Sequence, residues 1–320
     1  MAIKSTISQP PLKLDMHDKK IIFYLSQDSR IPRKELARKL NISIANLHYK
    51  IARLEKELIS PAPNINYPLL KIPSYIILTQ QISQETKEKL LNTSKFWFFN
   101  QAIGKYQYVM NVITDDIESF CKEYLGQCSF EVHPIIRYIP DDYNPWKLNI
   151  QANPIKNDKI IQLDDKDYRL LSYICENTTS SILEISAKTH MDRNNIKERI
   201  KKMLNANIIQ KFRYAINVFK MNHLVYIINI SMPPSIKNKI IPNLRSDNYS
   251  GFIFETLTGC VMYYMPPTHK ELFNFTNNIQ EIDQRIKIEV IQTTEIFRVD
   301  LVPQSAINIF KEKSKKNNQQ

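Results

Sequence analysis

Hydrophobic residues recur at helical spacing near the start of the chain and again near its middle. Ile21, Ile22 and Leu25 share one helix face in "HDKKIIFYLSQ"; Leu36, Ala37 and Leu40 form the stripe of a second, short helix; Leu47, Ile51, Leu54 and Leu58 form that of a third. The "NIS" break between the second and third predicts helix, turn, helix, with Ser43 as the N-cap of the third. Residues 180–209, "SSILEISAKTHMDRNNIKERIKKMLNANII", carry the same pattern, with Asp192 in the place of Ser43. A constant offset of 149 positions lays Leu163 over Leu14, and then Glu184, Ile185, Ile196, Ile200, Met203 and Ile208 over Glu35, Leu36, Leu47, Ile51, Leu54 and Ile59 without a gap. A repeat of this kind is a tandem duplication, and its copies share a fold. Ala37 and Ser186 are small, as residues must be where two helices cross closely.

Each helical copy is followed by a different pattern. "SYIILTQQI", "SQETKEKLLN", "FWFFNQAIGK", "YQYVMNVIT", "DDIESFCKEYLG" and "FEVHPIIRYI" read as β-α-β-β-α-β. "HLVYIINISM", "SIKNKIIPNLRS", "FIFETLTG", "CVMYYM", "THKELFNFTNNIQ" and "KIEVIQTTEIFRVDLV" repeat that order, the ferredoxin-like layout. The aromatic run Phe96 to Phe99 is expected to be a half-buried strand with two side chains facing the core and two a packing interface, in preference to base stacking.

Composition narrows the class. With 43% hydrophobic and 24% charged residues the chain is of soluble globular type. No apolar run approaches the roughly 18 residues that span a bilayer, and the opening "MAIKSTISQPPLK" has no signal-peptide core, so a cytoplasmic protein with no membrane partner is expected. The four cysteines form no C-x-x-C pair, which suits free thiols in a reducing compartment. The four glycines form neither a phosphate loop nor a dinucleotide fingerprint, and the six histidines are scattered. No catalytic residue, metal or cofactor is therefore expected.

The net charge of +12 is concentrated in residues 13–60, 159–213 and 311–320, whereas the segments between are close to neutral. A basic, compact helical block is what a phosphate backbone attracts. On the third helix the apolar stripe leaves Asn46, His48, Tyr49, Lys50 and Arg53 outside, beside Ser43; the second copy leaves Arg193, Asn194, Asn195, Lys197, Lys201 and Lys202. Asn, Arg and Lys bond base edges in the major groove, and Lys and Arg also neutralise phosphates. These residues are expected to contact double-stranded DNA. Because they lie off the stripes, Lys50→Ala together with Arg53→Ala, or Lys197→Ala together with Lys201→Ala, is expected to weaken binding and leave the fold intact.

The stretch "LDMHDKKIIFYLSQDSRIPRKELARKLNISIANLHYKIARLEKELI" resembles the winged helix-turn-helix of the Lrp/AsnC (feast/famine) transcription regulators in its "LD..D" start, its "E-L-A", its serine before the recognition helix and its "R-L-E". The second copy keeps "LD..D", Glu184 and the stripe, but has Thr179 and Ser180 for Arg30 and Ile31. Leu58 and Asn207 stand where the family usually has a glycine before the wing. The resemblance implies an α+β chain: winged helix-turn-helix domains at 1–64 and 160–216 and ferredoxin-like (βαββαβ) domains at 65–140 and 217–304; prolines and polar residues predict a linker at 141–159, and lysines a basic polar tail at 305–320. The resemblance also implies a sequence-specific regulator, modulated by a small effector such as an amino acid. The effector pocket would be formed at the loop "IGKYQY", with Gly104, Tyr106 and Gln107, and at Gly259 in the other copy. Ordinary members pair as two chains; here the two α/β domains are expected to pair within one, as an intrachain pseudo-dimer, with whole chains assembling further. Two alternatives share the architecture: a siroheme-decarboxylase-like enzyme of the haem pathway, and a chromatin-architectural protein that binds DNA without sequence preference.

Overall fold

The elements follow the two copies in chain order. Copy one runs α1 (Met16–Gln27), α2 (Arg33–Leu40), α3 (Ile44–Glu57) and β1 (Ile59–Ile65), then β2 (Ser74–Thr79), α4 (Gln84–Asn92), β3 (Phe96–Ile103), β4 (Tyr108–Ile113), α5 (Ile117–Tyr124) and β5 (Phe130–Ile139). Copy two runs α6 (Asp165–Glu176), α7 (Ile182–Thr189), α8 (Arg193–Asn205) and β6 (Ile209–Ile216), then β7 (Tyr226–Ser231), α9 (Pro234–Ser246), β8 (Ser250–Thr256), β9 (Gly259–Tyr264), α10 (His269–Ile282) and β10 (Lys287–Val299); α11 (Gln304–Lys316) follows. This is a computed structural model, and it describes residues 12–126, 128–140, 142–150, 157–221, 223–300 and 302–316. The chain divides into two units, one holding both helical copies with α11 and the other both βαββαβ copies.

In the helical unit the predicted stripes form the core: Ile21, Leu25, Leu36, Leu47 and Leu54 are wholly buried in copy one, as are Leu170, Ile174, Ile185, Ile196 and Met203 in copy two. The strand after each recognition helix finds its partner in the other copy. β1 and β6 pair antiparallel, from Ile59 opposite Ile216 to Ile65 opposite Ile209, and make a two-stranded ribbon. The chain enters these strands differently. Asn207 takes a left-handed φ of 62°, which asparagine tolerates, whereas Leu58 stays at φ −125°.

Two expectations of organisation are revised here. Residues 305–320 are not a polar tail over their described part: Ala306, Ile307 and Phe310 recur at helical spacing, are buried, and hold α11 against α6. Residues 142–150 of the expected linker fold onto the sheet unit, where the Asn144 N–H donates to the Asn248 carbonyl at 2.9 Å and Arg245 pairs with Asp142 at 2.6 Å. The linker's remaining prolyl stretch, 151–156, lies outside the described residues.

The sheet unit is a closed barrel in the order β10-β3-β4-β2-β5-β8-β9-β7. Each copy contributes a ferredoxin-like set, β3-β4-β2-β5 and β8-β9-β7-β10. The copies join at two seams, with Tyr138 of β5 opposite Phe254 of β8 and Ile296 of β10 opposite Asn100 of β3. Closure leaves this barrel with no free edge among the described residues. Phe96 and Phe99 pack with Leu90 and Phe120 under α4 and α5. Trp97 and Phe98 turn to the other face and meet the second copy: Trp97 lies 5.4 Å from Phe252 and 5.7 Å from Phe254, and Phe98 lies 5.1 Å from Tyr263. The two-and-two division of this run is present, but as Phe96 with Phe99 and Trp97 with Phe98, because the strand register shifts between Phe96 and Phe98; the α/β copies also pair within one chain.

Candidate nucleic-acid interface

Each recognition helix is positioned first by its cap. The Ser43 hydroxyl accepts from the Asn46 N–H at 3.1 Å, and the Asp192 carboxylate accepts from the Asn194 and Asn195 N–H groups. Both expected capping residues are so engaged.

The "LD..D" motif supplies the second constraint. Asp15 and Asp18 form a capping box at the start of α1, and Asp164 and Asp167 repeat it at α6. Their carboxylates also reach the recognition helices. Lys50 Nζ lies 2.5 Å from Asp15 and 3.0 Å from Asp18, and Arg53 pairs with Asp18. In copy two Arg199 Nη1 lies 2.7 Å from both Asp164 and Asp167, and Lys202 Nζ lies 3.0 Å from Asp167. Asp18 and Asp167 are wholly buried, so the paired cations are what makes these carboxylates tolerable inside the fold. Each clamp locks the recognition helix to the first helix of its own copy.

This geometry changes the expectation for Lys50 and Arg53. Their side chains lie off the apolar stripe, yet they serve the fold, and removing them should not leave it intact. Sequence reading also missed Arg199, although the 149-residue offset places it over Lys50. Burial raises the Asp15 carboxyl, but the Lys50 ammonium and the capping bonds outweigh it and hold the pKa down at about 2, from an ordinary 3.8. Burial lowers Lys50, and its two aspartates outweigh that and raise it above 10.5. The Asp15 contribution to stability is therefore fully present above pH 3.8 and is lost as pH falls to about 2. The Lys50 contribution is present below pH 10.5 and disappears as pH rises through the raised value. Thermal melts of the parent and Asp15→Asn should differ at neutral pH and converge towards pH 2; a gap that persists at pH 2 would sink the assignment.

The remaining predicted residues stand in solvent. Ser43, Asn46, His48 and Tyr49 are exposed on α3, Tyr49 at 71%, and Arg193, Asn194, Asn195, Lys197 and Lys201 are exposed on α8. Lys202 is exposed in part while it holds Asp167. The two sets share the geometry of a helix-turn-helix reading surface, one helix presented and the helix before it packed across its base.

The expected effector residues separate. Gly104 has a φ of 134° at the β3–β4 turn, a conformation only glycine adopts readily. Tyr106 is buried and its hydroxyl donates to Glu131, while Lys105 lies 3.1 Å from Glu131 and 3.8 Å from Glu289. The Gln107 N–H donates to the Thr79 carbonyl. Gly259 is not the counterpart of Gly104: it opens β9, and a Cβ there would lie 1.8 Å from the Ile230 carbonyl oxygen. It is glycine because two strands approach closely. Among the described residues no group of three or more His, Cys, Asp or Glu is arranged to hold a metal, and no helix is long and apolar enough to cross a membrane.

Comparison with known proteins bears on this surface. Residues 14–57 and 163–210 each match a family model described as winged helix-turn-helix DNA-binding. The chain is 30% identical over 134 residues to an uncharacterized HTH-type transcriptional regulator of Pyrococcus furiosus, across 42% of this chain and 88% of that protein. It is 24% identical over 142 residues to one of Pyrococcus abyssi, across 44% of this chain and 88% of that protein. Such a relative is about as long as one copy. Among solved structures, the siroheme decarboxylase NirDL has the same fold over 94% of this chain and 99% of its own, with a TM-score of 0.60 and 12% identity.

Proposed function

We propose that this chain, which belongs to the Lrp/AsnC family of transcription regulators as a tandem duplication, binds specific sequences of double-stranded DNA and so regulates transcription. The observation that carries the reading is the pair of recognition helices: each is clamped to its own first helix by buried aspartates, and each presents an uncovered surface, Asn46, His48 and Tyr49 in one and Arg193 to Asn195 with Lys197 and Lys201 in the other. Side chains held on a rigid helix can enter a major groove with little loss of freedom. Because both helices belong to one chain, a single polypeptide replaces the usual pair, and its site consists of two half-sites about one or two helical turns apart. A small effector such as an amino acid acts at the β3–β4 turn, where Gly104, Tyr106 and Gln107 sit beside the charges of Lys105, Glu131 and Glu289.

Selection of bound sequences from a random duplex pool tests this reading. It should return one enriched motif; a pool that stays random after repeated rounds would leave only non-specific architectural binding. The fold shared with NirDL supports a second reading, a siroheme-binding enzyme, since the likeness spans the whole architecture. The exposed reading helices favour the first. Adding siroheme to the protein should leave the visible spectrum of the free compound unchanged, and a shifted band would favour the enzyme.

A further inference from the structure

The two copies keep their clamps and change their reading surfaces. At the offset of 149, Ile44, Ala45, His48, Tyr49 and Ala52 of α3 become Arg193, Asn194, Lys197, Glu198 and Lys201 of α8. Since Lys50 and Arg53 are bound to Asp15 and Asp18, the presented part of α3 is nearly uncharged, with Ile44 47% and Tyr49 71% exposed. Large apolar groups uncovered at the head of a recognition helix suit the methyl groups of thymine, and Asn46 beside them suits adenine. Beyond Lys56 in the last turn of α3, copy one has exposed cations on α2, at Lys34 and Arg38, the helix that crosses the phosphate backbone in this motif.

Copy two reverses the division. Its α7 holds one basic residue, Lys188, and α8 itself carries the exposed Arg193, Lys197 and Lys201. The groove behind α8 differs too. In copy one the Arg33 guanidinium donates to the Tyr214 hydroxyl at 3.5 Å and that hydroxyl donates to Glu55, so α2, α3 and β6 are tied together. Ile182 and Leu204 replace Arg33 and Glu55 in copy two, and there a groove of about 320 Å³ stays open, rimmed by Arg30, Lys197 and Lys201. An apolar floor under two exposed lysines, beside an Arg30 guanidinium stacked on Phe212, suits a phosphate and its sugar better than a base edge.

We infer that the chain binds an asymmetric site in one fixed orientation: α3 reads an A·T-rich half-site through Ile44, Asn46 and Tyr49, and α8 holds the other half by its phosphates through Arg193, Lys197 and Lys201. This rests on the proposed function and adds polarity to it. A symmetric dimer has no preferred direction on DNA; this chain has one, because its two reading helices have different chemistry.

The experiment uses the intact chain, the motif enriched from the duplex pool and two variants at exposed positions, Ile44→Ala with Tyr49→Ala and Lys197→Ala with Lys201→Ala. The first should cut discrimination at one half-site about tenfold and leave the salt dependence unchanged. The second should weaken binding to motif and scrambled duplexes by the same factor, keep the motif, and lower the magnitude of the salt slope by about two, roughly one per phosphate contact. Circular dichroism melts confirm that both variants are folded. A palindromic motif, or variants with interchangeable effects, overturns the inference while leaving the proposed function standing. If the parent prefers no sequence at all, both fall together.

Discussion

With Lys50 and Arg53 both replaced by alanine, the helical unit should lose about 3–5 kcal/mol of stability, because the change strands a buried carboxylate. Asp18 is 0% exposed, and its oxygens are held by the Lys50 ammonium, the Arg53 guanidinium and the Asp15 N–H. Without the cations only that N–H remains, and the carboxyl is left buried with no ionic partner. Denaturant unfolding measures the loss as a lower midpoint at constant slope. Adding Asp18→Asn to the double variant should recover part of it, since a neutral amide is less costly to bury unpaired than a charge. Arg199→Ala with Lys202→Ala should reproduce the effect through Asp167. A double variant as stable as the parent would show that these ion pairs do not hold the helices together. Lost DNA affinity in such a variant reports a damaged fold, so contact with DNA is better tested at Asn46, Tyr49, Lys197 and Lys201.

The clamp also shows where sequence reading stops. Local periodicity gave the three helices of each copy, because every stripe lies within a few turns, and the repeat fixed which positions correspond. The order of strands and helices in the α/β copies was legible for the same reason. What pairs with Lys50 was not: Asp15 and Asp18 lie 35 and 32 residues away, and an exposed cation and a clamped one look alike in a helical pattern. Arg199 was recoverable, since the offset that matched Leu47 to Ile196 also matches Lys50 to Arg199. The terminal helix was read as a tail from its lysines, although Ala306, Ile307 and Phe310 already had helical spacing. Partnership of β1 with β6 had no signal in either strand alone, as both need the other copy to be paired at all.

A single methyl group at Gly259 should destabilise the sheet unit by about 3 kcal/mol or more. Its carbon would lie 1.8 Å from the Ile230 carbonyl oxygen and 3.1 Å from the Ser231 Cα, both backbone atoms. Neither can swing aside as a side chain can, so β7 or β9 must move, and with it the ladder from Tyr226 opposite Tyr264 to Ser231 opposite Gly259. The second copy's aromatic core stands on that ladder, with Tyr264 stacked on Phe275 at 4.2 Å. Gly104→Ala makes a useful contrast. Nothing lies nearer than 4.0 Å to its added carbon, and only the φ of 134° is unfavourable, so a loss of about 1–2 kcal/mol is expected. Melting of the two variants side by side should place Gly259→Ala well below Gly104→Ala, and the reverse order would mean that the strands yield more easily than their pairing suggests.

The most direct measurement is an equilibrium titration of the intact chain against the enriched duplex and a scrambled duplex of equal length and composition, at one fixed salt concentration. A sequence-specific regulator that carries both recognition helices in one polypeptide should bind the enriched duplex at one chain per site and at least about a thousandfold more tightly than the scrambled one. Equal affinity for the two duplexes, or binding to neither, would contradict that description of the protein.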